Sequence, residues 1–353
     1  MKKLLCLLLA LIMLLTLVSC DSLAPRIIEQ LLLGTRLKVH FINVGQGDCT
    51  LLESRDEFVL IDAGETEQAE TVLNYLKKHC ADSLKYVIAT HPHSDHVGGM
   101  AKVIERVPTE NFITVETDQN TGVWKKVLKA VDKNDVNYID ARVGDTYRFG
   151  DASFTILAPL SDNYDGYNNY SVVTRVDCGD IRFLLTGDAE AESEKEMLNA
   201  KEDLRADVLK CGHHGSSTSS TAAFLKAVDP AFAIISCGKY NDYGHPHEET
   251  LEKLKMLDCF YLRTDTRGTI VAETDGKYLR FTIERGKIEI PTYTARDHDT
   301  SDTPLYIGNR RSLYFHYFSC SGVGRMSENN KVGFNTREEA VKEGYKPCPH
   351  CKP

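Results

Sequence analysis

The sequence predicts an α/β fold followed by a small, metal-held C-terminal module. Three observations carry this. Apolar runs of strand length alternate with segments of helical apolar spacing. Several of those runs end in Asp or His. The closing stretch holds four nitrogen and sulfur ligands in two close pairs.

Taken in order, residues 36–43 alternate Leu37, Val39 and Phe41 with Lys38 and His40, the period of a half-buried strand. Gly45 and Gly47 then permit a sharp turn that ends at Asp48. Strands are expected over 49–52 and 58–61, the second ending at Asp62. A helix over 71–79 places Val72, Leu73 and Leu76 on one side. The apolar run over 86–89 leads into Thr90, His91, Pro92, His93, Ser94, Asp95 and His96, and a helix is expected over 99–106. Residues 111–151 are least readable, with strands and a helix around 124–131 expected. Strands follow over 154–157 and 181–186, the latter ending at Asp188, with a helix over 190–200. A strand over 206–210 ends near His213 and His214, and one over 232–237 opens toward His245. A helix over 249–257 and strands at Tyr261, Ile270 and Leu279 bring this domain to its end near Pro291.

The chemistry concentrates after the strand over 86–89. His91 and His93 lie two apart, so in extended chain they project to the same side and can share one ion. Asp95 and His96 follow where the chain turns and can face a second ion. Mixed imidazole and carboxylate ligation suits Zn²⁺, Mn²⁺ or Fe. Asp62, Asp188, His245 and the pair His213 and His214 also stand at strand ends, the usual place for function on a rigid scaffold. One aspartate after a strand is commonly a cap or turn residue. The series together points to a metal centre.

The 353 residues are 42% hydrophobic and 26% charged, enough for one large domain and an extra module. A net charge of −9 argues against a protein that coats nucleic acid generally, but the charge is uneven. From residue 305 onward eight Lys and Arg stand against four Glu, so the tail is basic and the remainder acidic. At the other end, Lys2 and Lys3 precede an apolar run over 4–18 of signal-peptide length. Leu17, Val18, Ser19 and Cys20 resemble a bacterial lipobox, which implies lipidation at Cys20. An uncleaved membrane anchor is the alternative, and either places the body outside the cytoplasm, tethered to a membrane. Cys49, Cys80, Cys178, Cys211, Cys237 and Cys259 show no framework spacing, and most sit in apolar, strand-like contexts as small hydrophobes.

Residues 36–290 resemble the metallo-β-lactamase fold superfamily, and within it the soluble domain of the competence proteins called ComEC. The motifs that carry this are Asn43 to Asp48, Ile61 to Gly64, His91 to His96, Asn169 with Ser171, Leu184 to Glu190, His213 to Ser216, and Gly244 to Pro246. The resemblance implies an αββα sandwich with two divalent metal ions, Zn or Mn, at the sheet edge. His91 and His93 would hold the first ion, Asp95 and His96 the second. Asp188 would bridge them and His245 complete the second site. No histidine falls between His96 and His213, so the extra imidazole many members supply is missing, as in ComEC-like members, and His213 or His214 is available to compensate. Asp62 would orient a ligand imidazole. Two-metal sites suit phosphodiester hydrolysis, because charge builds on phosphoryl oxygens. His213 and His214 could bind those oxygens or protonate the leaving group, and Asn169 and Ser171 could donate to them without charge.

In the tail, His316 and Cys320 are followed after 27 residues by Cys348 and Cys351, a closed structural zinc pattern, with a disulfide among these cysteines as the alternative. Residues 315–353 resemble the small metal-binding domain of Ada-type DNA repair proteins, with His316 where that family has its first cysteine. That substitution argues against methyl transfer, and because similar domains are appended to secreted nucleases the resemblance implies DNA docking. Arg310, Arg311, Arg325, Lys331 and Arg337 offer phosphate contacts, and Tyr314, Phe315 and Tyr317 offer stacking.

The expected organisation is a lipoprotein leader (1–19), a tether (20–35), a hydrolase domain (36–290), a linker (291–304) and the zinc module (305–353). The expected function is a dinuclear, extracytoplasmic phosphodiesterase, a DNA nuclease first. A phosphodiesterase of cell-wall or lipid headgroups and a non-catalytic surface DNA-binding protein are the alternatives, with β-lactam hydrolysis a distant third. DNA and, through the lipid anchor, the membrane are the expected partners. No feature specifies a protein partner.

Overall fold

A computed structural model describes residues 34–351 except 202, 289, 291, 296–305, 318, 319, 321, 335 and 336. The expected leader, Cys20 and nearly all of the tether lie outside these residues, as does most of the expected linker. Among the described residues the strands form three sheets. In the first, β1 (Leu37–Phe41), β2 (Thr50–Ser54) and β3 (Glu57–Ile61) run antiparallel. To β3 are added, all parallel, β4 (Leu84–Ile88), β5 (Thr109–Thr114) and β6 (Asn137–Asp140). The second sheet repeats the plan. Here β7 (Thr146–Phe149), β8 (Ala152–Ala158), β9 (Val173–Cys178) and β10 (Ile181–Leu185) are antiparallel. Then β11 (Val208–Lys210), β12 (Phe232–Ile235) and β13 (Phe260–Arg263) continue parallel. The chain returns to the first sheet through β14 (Ile270–Thr274), paired with β1, then β15 (Tyr278–Ile283) and β16 (Tyr293–Thr294), so that sheet runs past residue 290.

Parallel neighbours need crossovers, and helices supply them. The first sheet uses α1 (Ala69–Lys78), α2 (Ser94–Val97), α3 (Met100–Arg106) and α4 (Gly122–Lys133). The second uses α5 (Ala191–Ala200), α6 (Ala222–Val228) and α7 (Glu248–Met256). Local signals start several of them. Thr121 Oγ1 accepts the Trp124 N–H at 3.2 Å to cap α4, and Thr221 Oγ1 does the same for Phe224 at 3.3 Å in α6.

Alternation along the strands decides the layers. In β10, Ile181, Phe183 and Leu185 enter the core between the sheets with Val39, Phe41, Ile88 and Phe154. Leu184 faces the other way, into a second core with Met197, Phe224 and Leu254. Leu60 and Val87 of the first sheet pack against Val72, Leu76, Val103 and Trp124 of its helices. The result is helices, sheet, sheet, helices: the αββα sandwich. Truncating a fully buried ring such as Phe183 to Ala would cost about 3–5 kcal/mol. The six cysteines of this body are free, and all but Cys80 are buried.

The module is a four-stranded sheet of β17 (Tyr306–Asn309), β18 (Tyr314–Tyr317), β19 (Lys331–Phe334) and β20 (Lys346–Pro347), with α9 (Arg337–Lys342) after β19; α8 (Thr264–Arg267) precedes β14 in the body. Its core is Tyr306, Phe315, Phe334 and Ala340. So small a core needs reinforcement. Phe315, expected to stack on a partner, is fully buried in it, whereas Tyr314 stays 39% exposed.

Candidate metal centre

Every strand that bears a candidate ligand delivers it from its C-terminal end, where the parallel halves of both sheets open. The loop after β1 is drawn beneath the β4 loop. Gly47 has φ +135°, and a Cβ there would meet the Asp95 carbonyl oxygen at 2.3 Å, so only glycine fits. The Asp48 N–H donates to that same carbonyl at 3.1 Å. Gly98 has the same constraint: a Cβ would stand 2.4 Å from the Thr66 nitrogen.

Asp62, buried and in a left-handed conformation with φ 59°, accepts from the Thr90 N–H at 2.9 Å and the Thr90 hydroxyl at 2.7 Å. It also lies 2.7 Å from Nδ1 of His96. A proton on that nitrogen leaves His96 Nε2 aimed at Asp188 Oδ1, 3.2 Å away. His214 is set in the same manner, with Nδ1 3.0 Å from the Ser236 carbonyl and Nε2 3.0 Å from Asp95 Oδ2. Asp188 lies between the groups. Its Oδ2 is 3.5 Å from His214 Nε2 and 3.9 Å from both His91 Nε2 and His213 Nε2. His91 Nε2 and His93 Nδ1 stand 3.0 Å apart.

Asp95, His96, Asp188 and His214 converge as one potential ligand set. The expectation gave the last place to His245. That ring instead stands 6.0 Å from His214, stacked at 5.6 Å on Tyr243 and 3.5 Å from Gln46. Asn169 and Ser171, expected to face substrate, are engaged within the protein. Asn169 Oδ1 accepts the Glu190 N–H at 3.0 Å and the Ser193 N–H at 3.3 Å, clamping the start of α5. Ser171 Oγ accepts the Asp188 N–H at 2.9 Å and lies 3.4 Å from His91 Nδ1, so it positions ligands. His213 and His214 occupy consecutive left-handed conformations, with φ 49° and 55°, which aim both rings into one cleft. His213 Nδ1 lies 2.9 Å from Glu190 Oε1, leaving Nε2 to the cleft.

The donor set fits metal. Asp48, Asp62, Asp95 and Asp188 gather around the buried side of the cleft, with Lys210 as their buried lysine partner. Buried carboxylates in that excess demand positive charge. His96 Nε2, Asp188 Oδ1 and Asp48 Oδ1 are buried without hydrogen-bond partners, which a cation facing them would satisfy. Burial, reinforced by His96, holds His91 well below its usual pKa; burial and then His214 and His213 bring His245 down to about 4. Neutral imidazole is the form that binds metal. At His96 and His214 burial opposes protonation, but carboxylates outweigh it: Asp188, Asp95 and Asp62 raise His96 well above its usual pKa, and Asp188, Asp48 and Asp95 push His214 up to about 10. A proton there answers the same demand for positive charge.

Three contributors were not read from the sequence. Lys210 is 2% exposed, is ion-paired with Asp48, and donates to the Gly187 and Cys211 carbonyls at 3.0 and 3.2 Å. Its signal was a lysine closing a strand directly after Val208 and Leu209. Glu190 closes the Leu184 to Glu190 motif, but no role was read for it, and Tyr243 carried no signal. The cleft, about 330 Å³, is lined by Gln46, His93, Asp95, Asp188, His213, His214, Tyr243 and His245. A larger groove, about 820 Å³, lies between α7 and the module.

The module has its own cluster, His316, Cys320, Cys348 and Cys351, and its cysteines are free thiols. His316 Nδ1 is buried without a partner, and Gly322 leaves room where a Cβ would come within 3.3 Å of that ring. The His350 N–H points at Cys348 Sγ at 3.4 Å. These features suit a structural zinc.

The model of the Metallo-beta-lactamase superfamily matches residues 42–239, and the chain belongs to that family of metal-dependent hydrolases. It is homologous to competence proteins. Over 256 residues it is 32% identical to ComE operon protein 3 of Bacillus subtilis (strain 168), covering 67% of this chain and 33% of that protein. Competence protein ComA of Neisseria gonorrhoeae is 28% identical over 230 residues, 65% of this chain and 31% of that one. The chain thus spans about a third of the length of these relatives. Among solved structures, the metallo-beta-lactamase fold protein YhfI from Bacillus subtilis aligns with a TM-score of 0.46 and 17% identity, over 64% of this chain and 95% of that one.

Proposed function

We propose that this chain is a metal-dependent phosphodiesterase that cuts DNA outside the cytoplasm while tethered to the membrane through Cys20. The observation that carries the reading is Asp188, with one carboxylate oxygen facing His96 and the other shared by His91, His213 and His214 at the floor of an open cleft. Asp95, His96, Asp188 and His214 would hold one divalent ion, and His91, His93 and Asp188 another. Bound there, the metals would activate water and neutralise charge developing on phosphoryl oxygens.

The chain's own groups supply the rest. Asp62 and the Ser236 carbonyl select which nitrogens of His96 and His214 face the cleft. Ser171 fixes the backbone of Asp188. His213 is the general acid: Glu190 holds Nδ1, and Nε2 gives its proton to the departing ester oxygen as the P–O bond breaks. Thr218 Oγ1 donates to the same Glu190 oxygen at 2.8 Å and steadies the pair.

DNA as substrate is supported by two relatives named for competence or its operon and by the basic tail. In this reading residues 305–353 form the docking domain, with Arg310, Arg311 and Arg325 toward phosphate, and offset the acidic body. The membrane tether rests on the lipobox-like residues Leu17 to Cys20, with residues 20–35 leading to the body; no helix among the described residues is long and apolar enough to cross a membrane.

The test is hydrolysis of single-stranded DNA, double-stranded DNA and bis-(p-nitrophenyl) phosphate with Mn²⁺ or Zn²⁺, alongside Asp188→Ala. Metal-dependent DNA cleavage that Asp188→Ala abolishes is expected. Cleavage of the small ester alone would move the reading to a headgroup phosphodiesterase. DNA binding without any cleavage would make the protein a capture protein.

A further inference from the structure

The loop between β12 and α7 exposes two aromatic rings to water, Tyr240 at 88% and Tyr243 at 68%. It is firmly held. Asn241 Nδ2 donates to the carbonyls of Gly238 and His245 at 2.8 and 2.7 Å, and its Oδ1 accepts the His245 N–H at 2.8 Å. The Gly238 N–H donates to Gln46 Oε1 at 3.0 Å, tying the loop to the turn after β1. His247 Nε2 lies 3.1 Å from the Tyr243 carbonyl. The fold therefore presents two large apolar faces to solvent at a fixed place, although burying each would be favourable.

Through Tyr243 the loop borders the candidate metal cleft, with Tyr240 three residues earlier in the chain. Tyr243 forms part of the cleft wall and lies almost parallel to His245, with ring centres 5.6 Å apart and planes at 18°. Lys239 Nζ stands over one face of the Tyr240 ring, 5.1 Å from its centre, so a base would meet the opposite face with the positive charge close by. Rings beside a cation match an unpaired nucleobase and its phosphate: the base stacks, and the ammonium meets the phosphoryl charge. A duplex offers no such face, because its bases already stack on one another.

We infer that Tyr240 and Tyr243 form a base-stacking shelf that makes single-stranded nucleic acid the substrate class of this site. The inference rests on the phosphodiesterase reading above. The shelf determines specificity and takes no part in bond breaking.

The experiment uses the full chain in detergent with Mn²⁺ and dye-labelled oligodeoxynucleotides of equal length: a single strand with its bases, the same strand abasic, and a duplex. Fluorescence anisotropy gives affinity, and cleavage gives KM and kcat, with melting curves as the control for folding. The wild type should favour the base-bearing single strand over both others. Tyr240→Ala with Tyr243→Ala should weaken that strand's binding roughly 10- to 100-fold, mostly in KM, and close the gap to the abasic strand. Phe at both positions should restore the gap, since the ring face and not the hydroxyl is used. A gap that survives the double alanine variant, equal binding of all three by the wild type, or Phe variants that fail as Ala does would each overturn the shelf. Base-dependent binding without cleavage would keep the shelf and sink the phosphodiesterase.

Discussion

The Asp62 carboxylate, 2.7 Å from Nδ1 of His96, decides which nitrogen of that ring meets Asp188. Both residues are buried, and Asp62 is itself held by the Thr90 N–H and hydroxyl. Replacing Asp62 with Asn keeps the shape and removes the charge that makes His96 a basic ligand. Metal affinity should fall about 10- to 100-fold, read by competition with a chromophoric chelator. Unchanged affinity would mean that His96 takes no part in metal binding.

A second buried pair braces the floor of the cleft. Lys210 meets Asp48 out of water and also donates to two backbone carbonyls. Removing one partner of such a pair leaves an uncompensated charge, at a cost of about 3–5 kcal/mol. Lys210→Met should lower the unfolding free energy by that order in metal-free protein. Adding Asp48→Asn should recover part of the loss. Additive losses in this double-mutant cycle would show that the two groups do not act as a pair.

Much of this was legible because the fold is written in short-range pattern. The alternation of Leu37, Val39 and Phe41, and the apolar run that ends at His91, survive any reasonable register. The αββα layering came through the family resemblance, and the cores on both faces of each sheet agree with it. The strands over 111–151 were harder to read because β6 is largely exposed and β7 half so, which removes a clean apolar period. In the site, residues close together in sequence were legible and long-range pairings were not. Nothing local says that Glu190 meets His213, or that Asn169 turns its amide oxygen to the start of α5. Such contacts join loops from different strands, and only the assembled sheet edge brings them together.

The zinc module gives a prediction of local unfolding. Among the described residues its core cluster is four buried side chains, so most of its stability should come from the metal held by His316, Cys320, Cys348 and Cys351. Cys320→Ala should lose about one equivalent of zinc and open the region beyond residue 305 to proteolysis. The melting temperature of the body should be unaffected. A body that melts earlier would show that the two parts are energetically joined.

Acid stability should depend on Glu53 of β2. Burial works to raise its pKa, but His40 at 3.2 Å and Lys38 at 2.8 Å outweigh it and bring the carboxyl down to about 2 from an ordinary 4.5. A depressed folded-state pKa means that the contribution is complete above pH 4.5 and is lost as pH falls toward 2. The shift corresponds to roughly 3 kcal/mol as an upper figure. Glu53→Gln should be less stable at neutral pH by up to that amount. Its stability should fall less steeply across the acid window in urea titrations. An acid limb with the wild-type slope would remove Glu53 from the account.

The last prediction separates proton donation by His213 from metal binding. Its Nδ1 is held by Glu190, and its Nε2 is 3.9 Å from Asp188 Oδ2. A general acid matters in proportion to the basicity of the leaving oxygen. A nucleoside alkoxide needs the proton, whereas p-nitrophenolate leaves nearly as well without it. His213→Gln should therefore slow DNA cleavage by about 10²–10⁴-fold, with a far smaller loss on bis-(p-nitrophenyl) phosphate and an unchanged metal content. Glu190→Gln should produce the same pattern more mildly, because it leaves the ring in place and removes only the charge that steadies the imidazolium. Equal losses on both substrates, with metal lost as well, would make His213 a ligand that supplies the imidazole missing between His96 and His213.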